Sequence, residues 1–506
     1  MKRILLALLL ALCLLPLPAF GESVSAEFRS DFSAGPDGWY ARSDGSAAVT
    51  TTAEGSLAVT SRSADWHSPG RDFALVPGES YLLSVQVRQR VRSSATFILS
   101  VAHTLNGEES YENLGSGTAK RGKWTEITGS YTAGAFDRFV LYVETAGAAD
   151  LPFEIKDFTV KKGTVVFGEA EIPSLKDLYA DAFDFGAAVT RSEAASYARM
   201  AFYGSQFNIV TPGNEMKPDF LLDMNACRTL AREDDTAVAV HFDAAADMLN
   251  WAQTHGVKVH GHVFVWHQQT PEAFFHAGYN LSQPLVSREV MLARLDHFME
   301  AVFTELEARW PGVVVSYDVA NEVIDDGTGK LRDSRWLEIV GEDYVARAFE
   351  LARKHAPAGV RLFYNDYNTA YQPKLRGIRD LLLSLQAEGN IDGYGFQMHH
   401  SIRTPTLAQI KTAVETIAAT GLRLRVSELD ITVPDNSAAA FQRQADLYGG
   451  IMQVLLAHRE QIDAVQVWGV TDDLSWRASG YPLLFDGQAN PKPAFWALVN
   501  LAPAAE

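Results

Sequence analysis

The chain has 506 residues, enough for two to four domains, and its composition of 47% hydrophobic and 21% charged residues is that of an ordinary globular protein. Its formal net charge is −18, with 62 acidic and 44 basic side chains, which argues against nucleic acid or an anionic membrane surface as a partner. A neutral polymer is compatible with this charge.

The first 21 residues have the pattern of a secretory signal peptide. Lys2 and Arg3 precede an apolar run that is too short to span a bilayer, and cleavage is expected after Gly21. Removal of this segment would take the net charge from −18 to −20 and leave Cys227 as the single cysteine, so no intramolecular disulfide could form. We expect a secreted or periplasmic protein that has no membrane partner after cleavage and is a monomer.

Residues 26–162 are rich in Ser, Thr, Val and Gly and contain runs in which apolar and polar residues alternate. Examples are the segments 81–88, 95–102 and 138–144. Strands of period two that are separated by turn residues predict a β-sandwich, here jelly-roll-like. A polar linker over residues 163–172 follows.

Residues 173–503 alternate between strand-like runs and longer amphipathic segments, for which helices are predicted. The strand-like runs are 183–189, 206–211, 258–266, 313–320, 361–365, 393–398, 422–427 and 464–469. The clearest helical segments are 242–255, 287–309, 342–355 and 438–459. Eight such repeats predict a (β/α)8 TIM barrel, whose active site gathers at the C-terminal ends of the strands.

Two glutamates occupy such strand ends. Glu322 ends the fourth strand-like run and Glu428 lies near the end of the seventh. Two carboxyl groups delivered by separate strands can cleave a glycosidic bond, since one protonates the leaving oxygen and the other attacks or shields the anomeric carbon. In a chain with 62 acidic residues, two glutamates at strand ends are by themselves weak evidence for a glycosidase site. The residues next to them in the sequence have to support that interpretation.

Four histidines suggest a different chemistry. His260 and His262 would share one face of the third strand, with His255 and His267 nearby, and two imidazoles on one face can bind a metal. A metal-dependent TIM-barrel hydrolase is therefore an alternative, although no further ligand is evident. A non-catalytic polysaccharide-binding protein is the third possibility.

Several short segments together make residues 173–503 resemble glycoside hydrolase family 10, the retaining endo-β-1,4-xylanases. They are, in chain order, 207–217 (FNIVTPGNEMK), 261–271 (GHVFVWHQQTP), 318–322 (DVANE), 364–367 (YNDY), 395–399 (GFQMH), 427–430 (SELD) and 468–476 (WGVTDDLSW). The resemblance implies hydrolysis of xylan and xylo-oligosaccharides without a metal or other cofactor.

The resemblance also implies roles for individual residues. Glu322 would be the general acid/base and Glu428 the nucleophile, supported by Asn321, His399 and Asp430. Further residues would bind the substrate: indole faces would pack against the sugar rings, and side-chain amides and charged side chains would bind the hydroxyl groups. These substrate-binding residues are Asn214, Lys217, His262, Trp266, Gln269, Tyr367, Gln397, Trp468 and Trp476.

The chain departs from the family pattern at two positions. Gly213 stands where the family usually has Glu, and Pro218 where it usually has Trp. The missing carboxylate would have bound the sugar two places to the non-reducing side of the scissile bond. At this subsite we expect weaker sugar binding, more space, and better tolerance of a decorated xylose or of a different sugar.

The N-terminal region resembles a family 22 carbohydrate-binding module. The matching positions are Gly38-Trp39, Trp66, Pro77-Gly78, Tyr111, 124–126 (WTE) and 142–144 (YVE). The resemblance implies a binding cleft that contains Arg42, Trp66, Tyr111 and Glu144. The alternative is that the aromatic residues belong to the core and that the domain chiefly stabilises the attached enzyme.

Overall fold

The computed structural model describes most of the chain as two compact units that divide near residue 165. The described residues are 22–23, 27–42, 47–105, 107–163 and 172–503. The predicted signal peptide lies outside them, as does most of the predicted linker. Within the described part of the chain, no helix is both long and apolar enough to cross a bilayer.

The N-terminal unit is a β-sandwich of two sheets, with six strands in each among the residues described here. The first sheet has the order Glu22–Ser23, Pro69–Ala74, Arg138–Ala146, Ser94–Leu105 and Glu108–Lys120, and Tyr40–Ala41 also pairs with Pro69–Ala74. The second has the order Thr125–Thr132, Ser80–Gln89, Phe153–Lys162, Leu57–Thr60 and Ala48–Thr51, and Glu27–Ser30 also pairs with Phe153–Lys162.

Alternation of side chains explains why these segments form a sandwich. In Ser80–Gln89 the side chains of Tyr81, Leu83, Val85 and Val87 are buried, while the intervening residues are partly exposed. The period of two directs one face of each strand to a shared apolar core. The predicted β-sandwich is confirmed.

The C-terminal unit contains eight parallel strands that close into a barrel. Barrel strands one to eight are Asp184–Val189, Ile209–Pro212, Lys258–Val265, Val314–Asn321, Arg361–Asp366, Gly393–Phe396, Arg423–Thr432 and Ile462–Val467. Each pairs with the next, and strand eight pairs with strand one. The predicted (β/α)8 barrel is confirmed.

Helices connect the barrel strands and cover the barrel. The α-helices are Leu175–Leu178, Arg191–Ala194, Tyr197–Gln206, Pro218–Leu221, Met224–Leu230, Ala246–His255, Arg288–Arg309, Arg335–Val340, Tyr344–His355, Lys374–Glu388, Leu407–Ala418, Ala438–Leu456 and Pro493–Val499. Short 3-10 helices are Glu272–Phe275, Ala277–Tyr279, Arg459–Gln461, Asp472–Leu474 and Ala478–Gly480. Local signals set several boundaries: the Ser287 hydroxyl caps the helix Arg288–Arg309, for example.

Two boundaries of barrel strands differ from the sequence prediction by three residues or more. Gln206 is the last residue of a helix rather than the first of barrel strand two, because its buried amide oxygen accepts a hydrogen bond from the backbone of Leu175. Barrel strand seven continues to Thr432, past the predicted end at residue 427, because the short strand His399–Ser401 pairs with its second half. Glu428 therefore lies inside strand seven, whereas Glu322 directly follows strand four.

Candidate active site

A cleft of about 610 Å³ opens at the C-terminal ends of the barrel strands. Both predicted catalytic glutamates and all nine predicted substrate-binding residues line it, together with Asn321 and His399. Asp430 is fully buried behind His399 and does not line the cleft. The barrel thus brings together side chains that are up to 262 positions apart, from Asn214 to Trp476.

Glu428 is 5% exposed and has strong hydrogen-bond donors on both carboxylate oxygens. The amide nitrogen of Asn365 donates to one oxygen at 2.7 Å, and Nε2 of His399 lies 3.1 Å from the other. Burial alone would raise the pKa of Glu428, but the hydrogen bond and positive charge of His399 outweigh it and lower the pKa. This carboxyl group is therefore held ionised, as a nucleophile requires.

His399 owes its charge to a second carboxylate. Its Nδ1 lies 2.9 Å from Asp430, which also accepts hydrogen bonds from Trp476 at 2.9 Å and Arg477 at 2.5 Å. Burial alone would lower the pKa of His399, but Asp430 and Glu428 together raise it to about 10. The imidazolium donates one hydrogen bond to each carboxylate and so fixes the orientation of Glu428.

Glu322 has different surroundings. Its two carboxylate oxygens accept hydrogen bonds at 3.0 Å from the indole nitrogen of Trp266 and from the amide of Gln397. Its backbone φ is 56°, in the left-handed region that residues other than glycine seldom adopt. The two neutral donors orient the carboxyl group, and no cation contacts it directly among the hydrogen bonds of the described residues.

A set of amides connects the two glutamates. The Asn321 side chain lies 3.1 Å from the amide nitrogen of Asn365 and 3.0 Å from that of Gln397. Asn365 in turn binds Glu428, and Gln397 binds Glu322. Asn365 was absent from the predicted site residues although it stands in the 364–367 segment, because its contact with Glu428 depends on how barrel strands five and seven face each other.

A second polar group lies beside Gly213. The ammonium of Lys217 donates to Asn214 at 3.0 Å and to Gln269 at 2.8 Å, and lies 5.0 Å from the centroid of a Trp266 ring. Burial lowers the pKa of Lys217. These fixed donors and acceptors suit the hydroxyl groups of a sugar.

The His-x-His pair is arranged around a carboxylate. His260 Nε2 and His262 Nδ1 lie 2.9 Å and 2.8 Å from the same oxygen of Asp318, and all three side chains are buried. His262 lines the cleft, and its role as a hydrogen-bond partner of the sugar stays a prediction. In the part of the chain that the structure describes, no three His, Cys, Asp or Glu side chains are grouped as metal ligands.

Gly213 lines the cleft without any backbone need for glycine. A Cβ atom at this position would meet only Thr190 Cγ2 and the Val189 carbonyl, both at 3.6 Å, which is ordinary van der Waals contact. The missing side chain therefore leaves space within the cleft beside Asn214. Pro218, in contrast, is buried at the first position of the helix Pro218–Leu221 and does not line the cleft.

The sandwich has a cleft of its own, of about 710 Å³. All four residues predicted from the sequence line it, and Trp66 and Tyr111 are 57% and 60% exposed, which is unlike core aromatics. The guanidinium of Arg42 lies 5.1 Å from the Tyr111 ring and 4.0 Å from that of Tyr142, which belongs to the matching segment 142–144 but not to the predicted cleft residues. Burial raises the pKa of Glu144, whose carboxylate accepts a hydrogen bond from Ser100 at 2.8 Å.

Comparison with known proteins gives a separate match for each of the two units. The family model for glycosyl hydrolase family 10 matches residues 174–501, and a carbohydrate binding domain model matches residues 27–150. Endo-1,4-beta-xylanase A of Thermoanaerobacterium saccharolyticum is 33% identical over 473 residues, which cover 90% of this chain. The match covers only 39% of that relative's length.

Solved structures resemble the chain as well. The CBM22-1 and GH10 modules of a Clostridium thermocellum endo-1,4-beta-D-xylanase, complexed with xylohexaose, align with a TM-score of 0.63 and 28% identity over 95% of this chain and 98% of theirs. A xylanase from T. saccharolyticum aligns with a TM-score of 0.59 and 35% identity over 65% of this chain and 99% of its own.

Proposed function

Because the chain belongs to glycosyl hydrolase family 10, we propose that it is an endo-β-1,4-xylanase that hydrolyses internal bonds of xylan with retention of anomeric configuration. The observation that carries the proposal is the contrast between two carboxyl groups in one cleft. Glu428 is ionised beside a cationic His399, whereas Glu322 is oriented by two neutral donors. Such a pair supplies a nucleophile and a proton donor.

In the first step, a carboxylate oxygen of Glu428 attacks the anomeric carbon while Glu322 gives its proton to the departing glycosidic oxygen. The products are a covalent glycosyl ester of Glu428 and a shortened chain with a new hydroxyl group. In the second step, Glu322 takes a proton from water, the water oxygen attacks the same carbon, and the Glu428 carboxylate leaves. The two displacements restore the original configuration.

Neighbouring side chains support this chemistry. Asn321 lies between the two glutamates, where its amide can bind the 2-hydroxyl of the reacting sugar, a contact that strengthens in the transition state. Trp468 and Trp476 line the same cleft and offer indole faces to the apolar faces of xylose rings. No observation on the described residues favours a metal-dependent hydrolase as a second candidate.

Two experiments test the proposal. Glu428→Ala and Glu322→Ala should each keep the wild-type melting temperature within a few degrees and lower kcat on xylan, by about 10⁴-fold for the nucleophile. Proton NMR of the first product released from xylohexaose should show the β anomer. Full turnover in Glu428→Ala would overturn the catalytic assignment, and an initial α product would overturn retention alone.

We also propose that substituted xylan is accepted where Gly213 opens the cleft. The support is local: a side chain would fit at this position, and its absence leaves space beside Asn214 and Lys217.

For the sandwich, we propose xylan binding, supported by the two exposed aromatic faces of Trp66 and Tyr111 in a cleft that also holds charged groups.

A further inference from the structure

The loop after barrel strand four holds Glu322 in an unusual backbone conformation. With a φ of 56°, Glu322 is one of few described residues with a side chain in the left-handed region. Such a conformation is unfavourable and persists only where the surrounding structure fixes it, which happens most often at functional sites. The contacts that fix this residue therefore set the direction in which its carboxyl group points.

Hydrogen bonds hold the backbone on both sides of this position. The N–H of Glu322 donates to the carbonyl of Asn365 at 2.9 Å. Its carbonyl accepts a hydrogen bond from Nε of Arg332 at 2.8 Å. Arg332 is itself anchored, because its backbone N–H donates to the carbonyl of Val323 at 2.7 Å. Arg332 thus closes the loop onto the peptide that follows Glu322.

The same guanidinium reaches the wall of the cleft. Its terminal nitrogen donates to the hydroxyl of Tyr367 at 2.9 Å, and that hydroxyl donates to Asp326 at 2.7 Å. Lys374, which is fully buried, binds Asp326 at 2.9 Å and stands 3.6 Å from the Tyr367 ring centroid. The Tyr367 ring, which lines the cleft, is therefore locked in place relative to the Glu322 backbone.

We propose that Arg332 is a positioning residue for the proton transfer by Glu322. Arg332 acts through the backbone of Glu322 and the hydroxyl of Tyr367. It thereby keeps the carboxyl group of Glu322 aligned with the oxygen of the bound leaving group. The planar guanidinium directs its donors to both partners in one fixed geometry, whereas a lysine ammonium is a compact charge on a flexible stem. The inference rests on the proposed function, since it assigns a partner to the proposed acid.

Misalignment of an acid has a characteristic kinetic signature. A leaving group that is a sugar alcohol needs a proton as it departs, whereas 2,4-dinitrophenolate departs without one. A variant with a misplaced acid should therefore lose kcat/KM on unsubstituted xylo-oligosaccharides and keep it on 2,4-dinitrophenyl β-xylobioside. A general loss of structure would lower both rates equally.

The experiment compares Arg332→Ala and Arg332→Lys with wild type on both substrates. Since general acids contribute about 10²- to 10⁴-fold, we expect Arg332→Ala to lose at least about tenfold on xylohexaose and less than about threefold on the activated glycoside. Arg332→Lys should fall between Arg332→Ala and wild type on xylohexaose, and it provides the comparison if Arg332→Ala does not fold.

A matched control is Arg335→Ala. Arg335 is exposed in the same region and pairs with Glu272 and Glu338 on the surface, so both rates should be unchanged. Equal losses on the two substrates, or no loss on xylohexaose, would overturn the role of Arg332. A wild-type protein inactive on both substrates would overturn the proposed function and this inference with it.

Discussion

Nε2 of His399 lies 3.1 Å from the carboxylate of Glu428, and the opposite ring nitrogen of His399 lies 2.9 Å from Asp430. The imidazole therefore stands between two carboxylates, and their combined charge raises its pKa to about 10 against the opposing effect of burial. The imidazolium keeps Glu428 ionised at a place where burial disfavours charge.

The first prediction concerns the loss of this cation. His399→Asn should lower kcat on xylohexaose by about 30-fold, because one charge-assisted hydrogen bond contributes about 2 kcal/mol. Steady-state kinetics would measure the effect. His400→Asn is the control, since the His400 side chain lines a different, small cavity. Similar losses in both variants would indicate a general packing effect and contradict the assignment.

The second prediction is a pH dependence of stability. The pKa of His399 is about 10 in the folded protein and 6.5 for an unperturbed imidazole, so the folded state binds the proton more tightly. The stability that the imidazolium contributes is therefore complete below pH 6.5 and is lost as the pH rises to about 10. The difference in free energy of unfolding between wild type and His399→Asn should be large at pH 6 and small at pH 10. Urea titrations at both pH values would measure it, and a constant difference would contradict it.

The third prediction tests the opening at Gly213. Gly213→Glu should raise kcat/KM on unsubstituted xylohexaose about fivefold, the effect of about 1 kcal/mol from one new hydrogen bond to a sugar hydroxyl. It should also shift the products of glucuronoxylan away from those with a substituted xylose two places to the non-reducing side of the cleaved bond. Gly213→Ala adds only a Cβ atom, which fits, and should retain the wild-type products. Identical product profiles for all three proteins would contradict the proposal.

Sequence patterns predicted those parts of the molecule that depend on local periodicity. The eight barrel strands follow from apolar runs, and the strand-terminal place of Glu322 follows from them in turn. Glu428 was misplaced relative to its strand, because the pairing of His399–Ser401 with strand seven joins segments about 30 residues apart. The spacing of apolar residues within a segment does not show which distant segment it pairs with.

The remaining site residues depend on contacts across the barrel. Asn365 and Arg332 act through contacts with groups on other strands and loops. Arg332 lies outside the segments that carry the family resemblance, and Asn365 lies in one of them, but the sequence does not show its contact with Glu428. Residues such as Glu322 are predictable because they stand in segments that carry the family resemblance. The side chains that hold these residues in place are not predictable in this way, since their effect arises only from the three-dimensional arrangement.

The fourth prediction concerns the sandwich cleft and is best tested in the whole chain with Glu428→Ala, which prevents hydrolysis. Calorimetric titration with xylohexaose should then show two binding sites, one in the barrel and one in the sandwich. Trp66→Ala removes the larger of the two exposed aromatic faces and should weaken the second site by at least about tenfold, because large aromatic anchors dominate such contacts. Trp124→Ala is the control: Trp124 packs under Arg88 and Lys156, away from the cleft, so both sites should persist. If the protein that carries only Glu428→Ala shows a single binding site, the sandwich does not bind this sugar.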